Sequence, residues 1–427
     1  MSSGLFEAEL GHTIFKDLNV LSPHYIPKVL PYRGNEIKQI TRVLAPILDG
    51  VKPNNLFIYG KTGTGKTSVI KHISRELVEA SVGRENLFVK TVYMNCRLGY
   101  NSKYQVLIRI LEDNGLTDKN LENHTLEGVR TQKLNGRSPT ELYSRLKKVV
   151  EANALKLIVV LDEVDMIHEV DELLYLLTRV NDEIESVERG GATLRGSVSI
   201  IGISNKHSFM ASLDPRSKST LCEEELVFKP YNANELATIL ENRVKLGFKS
   251  HAISGSSTKL IAAYAAQTNG DARYALKLLQ TAGEIAEKDR RKRVRMNDVK
   301  EAKNKVEQDI IFELITTLPE HQQIALYSIA HCSSSGSQYK RLSELPDDVL
   351  FSGEVYEGYE KLCAKLNRKP RTMRWFSEYL KELEMLGLVT LSISGAGVRG
   401  NTTLIRLGSN PDDIKKILSQ SLGISPA

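Results

Sequence analysis

The stretch Gly60-Lys61-Thr62-Gly63-Thr64-Gly65-Lys66-Thr67 constrains this chain more than any other. It follows a short apolar run, Asn55 to Tyr59, and precedes Ser68 to Ala80, which has helical character. Strand, glycine loop and helix in that order belong to an α/β architecture with a parallel sheet. The spacing carries chemistry. Glycines let consecutive backbone N–H groups converge on phosphate oxygens, while the following helix points its positive end at the same anion. Lys66 is then placed to reach the β- and γ-phosphates, and the Thr67 hydroxyl to ligate magnesium. Gly60, Lys61, Thr62, Gly63, Thr64, Gly65, Lys66, Thr67 and Ser68 form the expected binding loop, with ATP or ADP and Mg2+ as its ligands.

A second apolar run, Leu157 to Leu161, ends in Asp162-Glu163-Val164-Asp165. This sequence puts two carboxylates at the carboxyl edge of a buried parallel strand, where open α/β sheets bind ligands. Asp162 is the expected magnesium ligand, and Glu163 the group that orients the attacking water. A third run, Ser197 to Ser204, terminates at Asn205, a neutral group able to hydrogen-bond a γ-phosphate or the lytic water. Together the three strand ends describe a nucleotide hydrolase.

With 427 residues the chain has room for two to three domains of about 150 each. Its 41% hydrophobic and 26% charged residues are globular values, which excludes disordered and fibrous classes. No apolar run approaches the roughly 18 residues that cross a bilayer, and the N-terminal residues lack the apolar centre of a secretory signal. A cytoplasmic, nucleoid-associated location is expected, with no membrane partner. Cys96, Cys222, Cys332 and Cys363 form no C-x-x-C pair, so they read as buried thiols rather than disulfides or a zinc knuckle. The net charge of +6 permits nucleic acid as a partner without requiring it.

With its three strand-end motifs, the chain resembles the AAA+ ATPases. The resemblance implies that Asn205 is the sensor 1 residue. It also implies that Arg216, in Leu213-Asp214-Pro215-Arg216-Ser217-Lys218-Ser219, is an arginine finger for a neighbouring subunit's nucleotide. Arginine suits that task because its fork of donors meets spreading phosphate charge. Gly270-Asp271-Ala272-Arg273-Tyr274-Ala275-Leu276 is similar to the sensor 2 motif of the family's small helical lid, which implies that Arg273 reaches the γ-phosphate in cis. Tyr25-Ile26-Pro27, followed by Leu30-Pro31-Tyr32-Arg33-Gly34-Asn35-Glu36, resembles the adenine-pocket segment of archaeal replication initiators, relatives of the origin recognition complex and its helicase-loading cousin. That family carries a winged-helix DNA-binding domain after the lid.

The pattern of the last residues fits such a domain. The lid is expected to end with a helix from Asn297 to about Val306, a new helical series starting near Asp309. Helical stretches at Glu320 to His331 and Gly353 to Leu366 precede a longer one, Pro370 to Leu386, with Pro370 at its start. On this third helix Phe376, Tyr379, Leu380, Leu383 and Leu386 recur as a core face, and Arg371, Arg374, Glu378 and Lys381 share the other side. Leu388 to Ser394 and Asn401 to Leu407 alternate as a hairpin around the tip Gly395-Ala396-Gly397-Val398-Arg399-Gly400. That tip spells G-x-G-x-x-G, but a strand follows where a dinucleotide site needs a helix, so it reads as a wing. Basic and acidic residues balance over 311–427, yet Lys365 to Arg374 holds five cations and no acid at the recognition helix start. Arg368, Lys369, Arg371, Thr372, Arg374 and Arg399 are the expected DNA contacts, with Lys103 and Tyr104 of the ATPase domain as further candidates. The cluster Lys288 to Arg295 reads equally as solvated charge or as a DNA contact.

The domains expected are an AAA+ base over 1–229, an all-α lid over 230–306 and a winged helix over 307–427. The resemblance implies a slow, Mg-dependent ATPase switch that binds double-stranded origin DNA and helps load the replicative MCM-type helicase. Paralogous initiators, or further copies of the chain on DNA, are the other implied partners. The competing readings are a winged-helix signalling or transcriptional NTPase switch and a clamp-loader or branch-migration motor.

Overall fold

Alternation in the strands decides the first layer. In Asn55–Tyr59 (β1), following the helix Gly34–Leu44 (α1), Phe57 and Tyr59 belong to one buried cluster, while Leu56 and Ile58 belong to another. A strand covered on both faces in this way must lie inside a sheet with helices on either side. The computed structural model, which describes residues 14–112, 136–221, 223–335, 349–393 and 402–424, shows this arrangement.

The chain divides into two compact units, Met1–Ala302 and Lys303–Ala427. In the first, β1 is followed by Lys66–Ser81 (α2), Val89–Asn95 (β2), Lys103–Glu112 (α3), Pro139–Ala152 (α4), Lys156–Asp162 (β3) and Val170–Glu183 (α5). Next come a small hairpin, Ser186–Arg189 (β4) and Ala192–Arg195 (β5), then Ser197–Ser204 (β6), Phe209–Ser212 (α6), Pro215–Leu221 (α7) and Glu223–Val227 (β7). Five of these strands form one parallel sheet in the order β2-β3-β6-β1-β7. Helices α3, α4 and α5 cover one face through Leu107, Leu146 and Leu177; α1 and α2 cover the other through Ile40, Leu44, Val69 and Ile73. The order matters for function: β6 lies between β1 and β3, so the three motif-bearing strand ends are neighbours at one edge.

Three capped helices follow, Ala233–Gly247 (α8), Gly255–Thr268 (α9) and Ala272–Lys288 (α10). Asn232, Ser254 and Asp271 supply their N-caps, each accepting from free N–H groups of the first turn. The expected break near 307 is absent, because Met296–Thr317 (α11) runs as one helix. Its sequence there contains Glu307 and Gln308, good helix formers with no glycine or proline to stop them.

The second unit contains the later part of α11, then Glu320–Ser335 (α12), Val349–Phe351 (β8), Ser352–Lys365 (α13), Met373–Met385 (α14), Val389–Ile393 (β9), Thr403–Leu407 (β10) and Pro411–Leu422 (α15). The strands form an antiparallel sheet in the order β8-β10-β9. Ile324, Tyr359, Phe376, Leu380, Leu383, Ile405 and Ile414 share its core. Two expectations need correction. Helix α14 begins three residues after Pro370, with Thr372 extended at its N-cap, because the preceding loop is held by its neighbours rather than wound into a turn. Leu386 is exposed instead of joining the core face, since the helix has already ended at Met385. Cys96 and Cys363 are buried thiols and Cys332 is half-buried; Cys222 lies outside the described residues.

Candidate functional site

Gly63 and Gly65 adopt φ of +72° and +88°, the left-handed region that glycine enters without steric cost. Space demands glycine as well: a Cβ on Gly65 would lie 2.8 Å from the Tyr231 hydroxyl, and one on Gly63 would lie 1.7 Å from Asp271 Oδ1. The loop therefore nests directly under the lid. Ala272 donates its N–H to the Gly63 carbonyl at 3.2 Å, and the buried Arg33 donates to the carbonyls of Thr64 and Lys229 at 3.0 and 2.7 Å. Arg33 also lies over the Tyr231 ring at 4.0 Å.

Lys66 donates from Nζ to the carbonyls of Gly60 and Lys61 at 2.7 and 2.9 Å and to Asn205 Oδ1 at 3.0 Å. Burial lowers its pKa to about 8, and nearby Asp162 opposes that shift while Arg273 adds to it. Thr67 donates to Asp162 Oδ2 at 2.7 Å, and Tyr93 donates to the same oxygen at 2.7 Å. Beyond Asp162, Glu163 sits at φ +57°, a left-handed conformation that costs a non-glycine residue about 1 kcal/mol. Its Oε2 is buried with no hydrogen-bond partner among the described residues. A buried acceptor of this kind is expensive unless something donates to it.

A cleft of about 370 Å³ runs between these groups and the lid, lined by Thr62 to Ser68, Asp162, Glu163, Asn205 and Arg273. Tyr25, Ile26 and Pro27 line it too, and the Tyr25 carbonyl accepts from Arg243 of α8 at 3.2 Å. Gly60 and Lys61 do not line it; they contribute the carbonyls that hold Lys66. The donor set fits a magnesium-bound nucleotide. A hydroxyl beside a carboxylate offers the hard oxygens magnesium takes, and a buried ammonium with converging loop N–H groups offers what a polyphosphate takes. Arg216 is exposed on α7 and does not line this cleft.

Sequence reasoning missed four contributors: Arg33, Tyr93, Tyr231 and Asp271. Asp271 stood inside a motif singled out for Arg273, so the cap rule could have found it. Arg33 likewise stood inside the segment Leu30 to Glu36 without a role of its own, while Tyr93 and Tyr231 lie far from their partners in sequence and carry no local signature.

In the second unit, Lys369, Arg371, Thr372 and Arg374 are all exposed around the start of α14. Arg371 is held by its backbone: its N–H donates to the Tyr359 hydroxyl at 3.2 Å, and its carbonyl accepts from the Tyr356 hydroxyl at 2.9 Å. Tyr359 also meets His321 Nδ1 at 2.8 Å. Arg368 pairs with Glu320 at 2.9 Å. Arg399 lies outside the described residues. In the ATPase unit, Lys103 is ion-paired with Glu172, and the Tyr104 hydroxyl accepts from the Gly136 N–H at 3.1 Å. Of the cluster at 288–295, Arg291 is committed to Asp298 and Asp289 at 2.5 and 2.6 Å, while Lys288, Arg290, Lys292, Arg293 and Arg295 are exposed.

A parallel-sheet ATPase of the AAA+ class, with a helical lid and a winged-helix domain, is the class this fold and this cleft define. Residues 29–187 match the AAA ATPase domain, 237–304 the Cdc6 AAA+ ATPase-type lid domain and 313–417 the CDC6 C-terminal winged helix domain. The ORC1-type DNA replication protein of Thermococcus kodakarensis is 39% identical over 429 aligned residues, covering 99% of this chain and 95% of that protein. The chain belongs to the ORC1-type DNA replication proteins, the archaeal ORC1/Cdc6-type replication initiators. Its fold superposes with a TM-score of 0.76 on the Aeropyrum pernix ORC1 protein solved in complex with DNA, at 36% identity over 95% of this chain and 97% of that one. The ADP form of the Aeropyrum pernix ORC2 protein gives a TM-score of 0.56 at 25% identity, over 96% and 98%. Among the described residues no helix is long and apolar enough to cross a membrane.

Proposed function

We propose that this initiator binds Mg-ATP in the cleft between base and lid, hydrolyses it slowly, and uses the nucleotide state to set how it grips duplex origin DNA. The observation that carries the reading is the convergence of Lys66, Asn205, Thr67, Asp162, Glu163 and Arg273 on one cleft whose two walls come from different parts of the chain. Lys66 holds phosphate charge, having been kept ready by carbonyls that a phosphate oxygen displaces. Magnesium, held by Thr67 and Asp162, supplies neutralisation of the β- and γ-phosphate oxygens when bound. Tyr93 orients the Asp162 carboxylate for that role. Glu163 accepts a proton-bearing contact from the attacking water, which gives its buried Oε2 the donor it lacks. Asn205 and Arg273 touch the γ-phosphate from base and lid, so hydrolysis removes contacts that join them. Arg216, exposed and outside the cleft, is the finger offered to a neighbouring subunit's nucleotide.

In this reading the base covers 1–229, the lid 230–306 and the winged helix 307–427. The Aeropyrum pernix ORC1 protein was solved with DNA, and by likeness to it this chain grips duplex DNA through α14 and its wing, with Arg368, Lys369, Arg371, Thr372, Arg374 and Arg399 as contacts. Lys103 and Tyr104 are further contacts from the base. The replicative MCM-type helicase and paralogous initiators are the proposed protein partners, in the cytoplasm on the nucleoid.

Footprinting on candidate intergenic duplexes, with and without Mg-ATP, tests the DNA reading. Protected discrete repeats that an Arg371→Ala, Arg399→Ala double variant loses support it; uniform, salt-sensitive protection unaffected by the variant sinks it. For the ATPase, Glu163→Gln should bind ATP normally and hydrolyse it about 100-fold or more slower. Turnover many times per second by the wild type would replace the switch with a motor.

A further inference from the structure

Helix α14 buries Phe376, Leu380 and Leu383 against the core of the second unit. The residue just before Phe376 on the helix points about 100° away from that face. It is Trp375, the only tryptophan of the chain, and it is 58% exposed. Met373, the first residue of the helix, is 38% exposed. The core face of this helix is already filled by Phe376, Leu380 and Leu383, so the indole stands largely in water and is open to a partner. Its surroundings are mainly cationic: Lys369, Arg371 and Arg374 are exposed within the same turn and the loop leading into it, and the exposed Glu378 one turn on is paired with Lys381 at 2.8 Å. An aromatic face set among cations suits a polyanion that also presents apolar surface. A purely acidic protein patch supplies no such surface, and the major groove of duplex DNA supplies it as thymine methyl groups.

We propose that Trp375 is a specificity-determining contact, packing its indole on thymine methyl groups of the major groove while the surrounding cations hold phosphates. The inference rests on the winged-helix reading above and deepens it. It makes Trp375, rather than the arginines alone, the source of a preference for A·T pairs. An uncharged ring releases no counterions on binding, so its contribution differs from that of the cations in its response to salt.

The test uses the full chain and two probes, a 30-base-pair A·T-rich duplex and the same duplex with deoxyuridine in place of every thymidine. The sole tryptophan makes emission a direct reading of this residue. Saturating the thymidine duplex should shift or quench that emission. Trp375→Ala should weaken binding about tenfold, with the slope of log Kd against log salt unchanged, and Trp375→Phe should recover most of the loss. Arg374→Ala should lower the slope by about 1. Deoxyuridine should weaken the wild type and leave Trp375→Ala unaffected. Far-UV circular dichroism should show both tryptophan variants folded, because the side chain is exposed. If the duplex binds normally with unchanged emission, or Trp375→Ala or the deoxyuridine duplex behaves like its parent, the inference falls and the winged-helix reading stands. If the wild type binds neither duplex at 50 mM salt, both fall. Emission that changes with protein concentration alone overturns the DNA contact in favour of a second copy of the chain.

Discussion

Replacing Gly63 with alanine should show that the phosphate loop and the lid are coupled through the approach of Gly63 to Asp271. The residue sits at φ +72°, where a Cβ costs about 1–2 kcal/mol. That Cβ would also stand 1.7 Å from Asp271 Oδ1. Asp271 cannot simply turn away, because the same oxygen caps α10, accepting from the N–H groups of Arg273 at 2.6 Å and Tyr274 at 3.2 Å. Giving up that cap costs about 1 kcal/mol. Gly63→Ala should therefore destabilise the first unit by about 2–3 kcal/mol and Asp271→Ala by about 1. The double variant loses the cap only once, so it should cost about 2–3 kcal/mol, leaving a coupling of about 1 kcal/mol between the two positions. Urea unfolding followed by far-UV circular dichroism measures this, and Trp375 emission reports separately on the second unit, which should not respond. Costs that simply add would refute the reasoning, because they would mean that the new methyl group is not felt by the cap.

Because burial holds the Lys66 pKa near 8, a phosphate that draws the proton back should make nucleotide binding take up protons as pH rises from 7 to 9. Calorimetry of ADP binding in buffers of different ionisation enthalpy reads this, and no buffer dependence at pH 9 would contradict it. Tyr93→Phe should cost about 1 kcal/mol in urea unfolding and weaken magnesium-dependent ADP affinity, whereas Thr67→Val should lose that dependence altogether. Burial, reinforced by Arg371 and Arg368 and opposed by Glu320, holds the His321 pKa below its ordinary value. The unfolded chain then takes up that proton first, so stability is present above about pH 6.5 and lost as pH falls below it. Unfolding followed by Trp375 emission at pH 7.5 and 5.5 should show this slope, and His321→Gln should flatten it; an unchanged slope in the variant rules His321 out as its source.

Chemistry that depends on residues close in sequence was legible from the chain alone. The eight residues from Gly60 to Thr67, the acidic end of β3 and the polar end of β6 each state a role through spacing and local periodicity. Asp271 capping a helix is written the same way. The C-terminal helices could be found by their apolar period, but their limits could not. Pro370 looked like a helix start, yet the hydroxyls of Tyr356 and Tyr359, from another helix, hold Arg371 in an extended loop. The start of α14 at Met373 followed from that tertiary grip.

By itself, then, the sequence determined that this protein is a nucleotide-binding parallel-sheet domain followed by helices and a hairpin, because backbone propensity and short motifs act over a few residues. Only the tertiary structure decided which side chains complete the site. Tyr93 reaches Asp162 because β2 and β3 are paired in register, Asn205 reaches Lys66 because β6 lies between β3 and β1, and Arg33 reaches the loop because an N-terminal helix packs beside it. These contacts join residues tens to hundreds of positions apart, and no local pattern encodes them. They exist because burying the two faces of one sheet leaves a single arrangement in which those strand ends meet.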